Sequence, residues 1–144
     1  MIIKTVLNFT GLYAAFQLCI ITIGQVFNID MNSGVQIGAM IGAAYGAMVA
    51  SVSVFGRAPT FRENWIMSVS VNICALIVSL FSLFAVLLFS PDAPSIDEFI
   101  MGIAELPFWI LMTGLAVAVS VQTLLCLLIF GRVARRYLTK LSPA

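Results

Sequence analysis

The sequence predicts an all-α integral membrane protein: a four-helix bundle with a short amphipathic interfacial helix between spans three and four. Three observations predict it. The 144-residue chain is 62% hydrophobic and only 9% charged, with a mean hydropathy of +1.12, whereas a soluble domain carries about 25% charged residues. A chain this short has too little interior to hide so much apolar surface from water. Four apolar segments, near 5–28, 34–55, 65–90 and 106–130, are each long enough as helices to cross a hydrocarbon core of about 30 Å. They are too long and continuous for barrel strands, and only helices or closed barrels satisfy every backbone group in lipid. The charges also segregate: Lys4, Arg57, Arg62, Arg132, Arg135, Arg136 and Lys140 fall on one side of this arrangement, and Asp30, Asp92, Asp97, Glu98 and Glu105 on the other. Glu63 is the exception. By the positive-inside rule both termini and the 56–64 loop are cytoplasmic. One domain fills residues 1–144.

The first span has one basic residue, Lys4, and no small-x-small cleavage site closing a short apolar core, so it reads as a retained span rather than a signal peptide. Thr10, Gln17 and Gly24 recur along it every seven residues, with Asn28 four further on. The link from Asn28 to Ser33 is short enough to make spans one and two a tight antiparallel hairpin.

The second span carries Gly34, Gly38, Gly42 and Gly46 at four-residue steps, and Ala50 continues the row. Residues i and i+4 share a helix face, so this is a ridge without side chains, of the kind that lets another helix approach closely in lipid with a crossing near −40°. A packing groove for another span of the same chain is the nearest use. A homodimer contact, a hinge and a pore lining are the alternatives.

In the loop that follows, Gly56 ends span two and Pro59 stiffens the turn. Thr60 and Glu63 form a T-x-x-E capping box for the third helix, which accounts for the misplaced acid. Trp65 then sits at headgroup level. Span three shows Ser68, Asn72, Ala75, Ser79 and Ser82 spaced 4-3-4-3, and span four Thr113, Ala116, Ser120 and Thr123 spaced 3-4-3. These heptad-like seams suit left-handed packing near +20°.

Between them, Pro91-Asp92-Ala93-Pro94 breaks the chain, and Ser95 with Glu98 forms a second capping box. Ile96, Phe99, Ile100 and Ile103 place one apolar face on a helix over 96–104. Its acidic start disfavours anionic lipid, so packing on its own protein is the expected use of that face. Glu105-Leu106-Pro107 turns into span four, with Pro107 near a first-turn position. The basic tail, 131–144, anchors the topology through Arg132, Arg135, Arg136 and Lys140. With Arg57 and Arg62 it also presents a surface for anionic headgroups or an acidic partner.

Catalytic chemistry is absent from this reading. The chain has no histidine, which removes a histidine general acid or zinc site. No acid or base lies in the middle of a span, where proton-coupled transporters and voltage sensors usually need one. Phosphate-binding glycine loops and a Gly-x-Ser-x-Gly elbow are missing. Cys19, Cys74 and Cys126 have neither metal nor redox spacing. No catalytic, metal or cofactor site is expected, and nucleic acid is not an expected partner, because the basic patch is small and held at the membrane.

The loop Gly56-Arg57-Ala58-Pro59-Thr60-Phe61-Arg62-Glu63-Asn64-Trp65, a G-R-x-P-T-x-x-E-x-W pattern, resembles the signature loop of an uncharacterised family of small four-span bacterial inner-membrane proteins. Span pattern and length agree over the whole chain. The resemblance implies a bacterial inner-membrane protein and carries over no activity and no binding residues. The expected function is non-enzymatic: helix–helix interaction with another membrane protein, as an accessory, regulatory or immunity-type subunit. A small homo-oligomeric channel or transporter assembled through the glycine row is the alternative. The expected partners are the bilayer and that second membrane protein. For topology, Ala93→Cys is expected to react with a membrane-impermeant maleimide only from outside the cell; labelling from the cytoplasm would reverse the orientation.

Overall fold

The computed structural model describes residues 1–27, 33–89 and 94–141. Helix α1 spans Ile2–Phe27, α2 Ser33–Phe55, α3 Phe61–Phe89, α4 Ile96–Ala104 and α5 Phe108–Leu128. A π-helical turn, Ile129–Val133, joins α5 to α6, Ala134–Leu141. Four stretches are long and apolar enough to cross a membrane: Ile2–Phe27, Gly34–Phe55, Phe61–Phe89 and the continuous rod Phe108–Lys140. The protein is thus an all-α, multi-pass helical membrane protein.

Helix α1 lies between α2 and α3, and α5 completes the bundle against α3. The π turn and α6 reach back to α2. The core is confined to one half of the bundle. Its buried side chains are Thr5 to Gln17 of α1, Met40 to Val52 of α2, Asn64 to Ala75 of α3, and Cys126 to Ala134 at the far end of the rod. This half carries the basic residues. In the acidic half, no residue beyond Gln17 of α1, beyond Ala75 of α3, or from Phe108 to Leu125 of α5 is buried.

Apolar side chains gain little by leaving lipid for protein, so close packing and hydrogen bonds hold such helices together. Phe9 and Tyr13 stack at 5.5 Å between ring centroids in the centre of the packed half. Thr5 Oγ1 lies 3.1 Å from the Met1 carbonyl oxygen and shares a hydrogen bond with Ser51 Oγ across the α1–α2 contact at 2.6 Å. On the other side of α1, Gln17 Nε2 donates to Tyr13 Oη at 2.8 Å, and Tyr13 Oη pairs with Ser79 Oγ of α3 at 3.1 Å.

The tightest surface of α2 is built of alanines and methionines. Met40, Ala43, Ala44, Ala47 and Met48 are buried, while the glycine row runs along one side. A Cβ on Gly42 would meet the Phe16 ring at 3.4 Å, and one on Gly46 would meet Leu12 Cδ1 at 2.9 Å. Both neighbours belong to α1. Gly38 has nothing within 4 Å, Gly34 is exposed and Ala50 half-buried. The glycines therefore receive α1 at one end of the row and stand open at the other. Gly56, with φ +63°, is the position where the chain needs glycine's freedom to leave α2.

Three features depart from the sequence reading. The basic tail does not end the span at 130; helix continues to Leu141. Ala134 is buried, and Val133, Tyr137 and Leu138 pack against the core, so the π turn and α6 together are amphipathic, with Arg132, Arg135, Arg136 and Lys140 exposed. Helix α4 occupies the expected residues, yet none of its residues is buried. Its apolar face, with Ile96, Ile100 and Ile103 all exposed, does not pack on the bundle as expected. Pro107 also lies one position outside α5, as its N-cap.

The π turn has a local cause. A π turn shifts backbone bonding from i+4 to i+5 and disturbs the regular ladder. Here Asn64 of α3 donates Nδ2 to the Leu127 carbonyl oxygen at 3.2 Å, and the room for that amide comes from Gly131, where a Cβ would stand 2.9 Å from Nδ2. Gly131→Ala should displace the amide and lower stability by about 1 kcal/mol, whereas Gly38→Ala should be neutral. Reversible unfolding in bicelles checks both.

Candidate functional site

Three regions hold the polar and charged residues singled out in the sequence. At the basic end, the loop between α2 and α3 is braced by an ion pair the capping pattern did not reveal. Thr60 N–H donates to Glu63 Oε2 (2.8 Å) and Glu63 N–H to Thr60 Oγ1 (3.3 Å), the reciprocal bonds of the capping box. Glu63 also accepts a two-pronged contact from Arg57, Nη1 to Oε2 at 2.8 Å and Nη2 to Oε1 at 2.7 Å. That hydrogen bonding, and then the charge, raises the Arg57 guanidinium pKa above its ordinary value. A six-residue separation across a glycine turn, with basic and acidic partners in fork geometry, was the available signal. Lys4 lies 5.8 Å from the Phe55 ring centroid, while Arg62 is exposed beside the loop. The loop and the exposed face of α6 together form a basic rim.

The second region is the seam between α3 and α5. Asn64, Ser68 and Asn72 follow one another at four-residue steps on α3 and are 8%, 0% and 4% exposed. Asn72 Nδ2 donates to Thr123 Oγ1 at 2.7 Å, and Thr123 Oγ1 donates to the Val119 carbonyl oxygen at 2.7 Å. Asn64 Oδ1, Ser68 Oγ, Asn72 Oδ1 and Gln122 Oε1 are buried without a protein partner. An unsatisfied buried polar group costs about 1–3 kcal/mol, and three of these atoms, Asn64 Oδ1, Ser68 Oγ and Asn72 Oδ1, follow one row on α3. The 4-3-4-3 polar spacing of span three was legible in the sequence. That its oxygens would go unpaired was not, because the partner positions on α5 depend on how the helices meet. Further along α3, Ser79 joins the Tyr13 bond and Ser82 is half-buried.

The third region is the acidic half of α5. Phe108, Trp109, Val117 and Val121 are well exposed, as are the small residues Thr113, Gly114, Ala116 and Ser120. Of the 3-4-3 row on this helix, Thr123 engages another helix by hydrogen bond. Thr113 bonds its own helix, to the Trp109 carbonyl oxygen at 2.7 Å. The nearby α4 is capped by Ser95 and Glu98, whose backbone and side chains exchange bonds of 2.9 and 3.3 Å.

Among the described residues, no three histidine, cysteine, aspartate or glutamate side chains gather into a metal-binding group. The chain matches no protein-family model, no curated protein and no solved structure. Glu63→Gln should remove the charged fork and fray the start of α3, seen as faster backbone amide exchange at residues 61–64 with unchanged exchange near Val71.

Proposed function

We infer that this is a non-enzymatic protein of the bacterial inner membrane, with both termini in the cytoplasm, that acts by docking a helix of another membrane protein. The observation that carries the reading is the unpacked acidic half of α5. Lipid chains accept large apolar side chains without loss, and that half does present Phe108, Trp109 and Val117. It also presents Thr113, Gly114, Ala116 and Ser120, small residues that bring advantage chiefly where another helix comes close. In the proposed orientation this face lies in the outer leaflet, α4 rests at the outer interface, and the basic rim lies against the cytoplasmic headgroups. Accessory, regulatory and immunity-type roles all use such a face.

A second reading, a small homo-oligomeric channel or transporter, is favoured by the open end of the glycine row, where Gly38 has nothing within 4 Å. Gly38 tests it better than Gly42, whose substitution would also press on Phe16.

A photo-crosslinking residue at position 116, in the native membrane, is expected to capture a distinct membrane protein. Ala116→Leu should reduce its recovery about tenfold, a loss of about 1.4 kcal/mol, without altering stability. Crosslinks to lipid alone would overturn the docking face. Capture of a second copy, abolished by Gly38→Leu together with a measurable flux, would establish the second reading instead.

A further inference from the structure

Two contacts fix the register of α3 against the rod. Asn64 lies against Gly131, where a Cβ would stand 2.9 Å from Nδ2, and Asn72 Nδ2 bonds Thr123 Oγ1 at 2.7 Å. The helices run antiparallel: the step of eight residues from Asn64 to Asn72 is matched by a step of eight back from Gly131 to Thr123. Both helices rise equally per residue, so this register continues outward. Three, seven and ten residues past Asn72 stand Ala75, Ser79 and Ser82; three, seven and ten before Thr123 stand Ser120, Ala116 and Thr113. All six are small, and 3-4-3 steps keep each set in one stripe on the face that makes the Asn72–Thr123 bond. Beyond that bond the two stripes fall level, small residue to small residue. They are nonetheless apart, because Thr113, Ala116 and Ser120 are exposed.

We propose that the outer half of α5 closes on α3 of its own chain, the structure holding the open state. The inference rests on the reading of this half as a docking face and adds its regulation: α3 and a partner helix compete for Thr113, Ala116 and Ser120. The pivot is the tied stretch from Thr123 to Gly131. From Thr123 to Thr113 the helix runs about 15 Å, so a change of about 20° in crossing angle, the scatter within one packing class, carries Thr113 about 5 Å. Closure leaves no new polar group unmatched. Thr113 Oγ1 donates to the Trp109 carbonyl oxygen, as Thr123 Oγ1 donates to that of Val119. Thr123 accepts from Asn72, and Thr113 keeps the same capacity to accept from Ser82. Ser79, already bonded to Tyr13, comes level with Ala116, which asks for no partner. Small residues on both sides permit the close approach that holds helices together in lipid. A partner that binds only the open form draws the equilibrium toward it.

Disulfide trapping on the full chain in lipid bilayers tests the closure without any partner. Exposed Cys19 and half-buried Cys74 are replaced by alanine, and buried Cys126 is kept. Bridging needs Cα atoms within about 7 Å. Ser82→Cys with Thr113→Cys, oxidised by oxygen and copper phenanthroline, is expected to bridge at monomer mass about tenfold faster than Ser82→Cys with Ser120→Cys, which stands seven residues out of register. Equal rates, no bridge in the first pair, or bridges only between two chains overturn the closure. Adding Ala116→Leu should slow the in-register bridge severalfold by holding α5 away from Ser79; an unchanged rate overturns the small-residue contact. A photo-crosslinking residue at position 117, beside the stripe, reads the competition in the native membrane. Capture of a partner should fall about tenfold in the bridged chain and return with reductant; undiminished capture overturns masking by α3. A reduced chain that captures no partner while the in-register bridge still forms supports the closure and overturns the docking reading alone.

Discussion

In hydrocarbon, a buried polar side chain has no bulk solvent to turn to, and helices have little apolar gain from touching one another. This protein answers both conditions with α1. One face of that helix bonds α2 through Thr5 and Ser51, and another bonds α3 through Tyr13 and Ser79, with Gln17 held on Tyr13. Between these bonds lie Phe9 and the alanine-rich surface of α2. Bonds of this kind contribute about 0.6 kcal/mol on average in membranes, so none of them alone holds the bundle. Their effect is positional. They fix the rotation of α1, and α1 in turn fixes which faces of α2 and α3 look at each other.

From that placement the asymmetry of the molecule follows. The core stops at Gln17, Met40 and Ala75, roughly where the last α1–α3 side-chain bond is made. On the basic side the helices are drawn close enough for Asn64 to reach into the backbone of the rod at Leu127, over Gly131. Beyond the π turn, Ala134 is buried and Tyr137 and Leu138 of α6 pack against the core. On the acidic side, α5 makes no comparable contact. The same rod is thus tied down at one end and free at the other, and the uncovered end is where a second membrane helix has room to lie.

Much of this was legible in the sequence because the signals are local. Span length and charge segregation depend on the chain alone, and the two capping boxes depend on residues three apart. The features that escaped are set by meetings between helices. Residues 131–144 read as a basic tail, yet Ala134, Tyr137, Leu138 and Leu141 at i, i+3, i+4 and i+7 were a helical signal that the arginines obscured. The glycine row marked a surface without side chains, but it could not say that α1 would cover Gly42 and Gly46 and leave Gly38 bare. The apolar face of α4 showed what kind of surface it was and not what would cover it.

The polar seam shows how such a limit arises. Ser68 and Asn72 were visible in a periodic stripe with Ala75, Ser79 and Ser82, which ordinarily serves as interhelical glue, whereas Asn64 read only as part of the loop. Here the glue is half used. Each amide nitrogen finds an acceptor on α5, the Leu127 carbonyl oxygen for Asn64 and Thr123 Oγ1 for Asn72, while the two amide oxygens have no protein partner. The order of donors and acceptors across two helices, rather than the presence of polar residues on either, decides how much of such a stripe is paired.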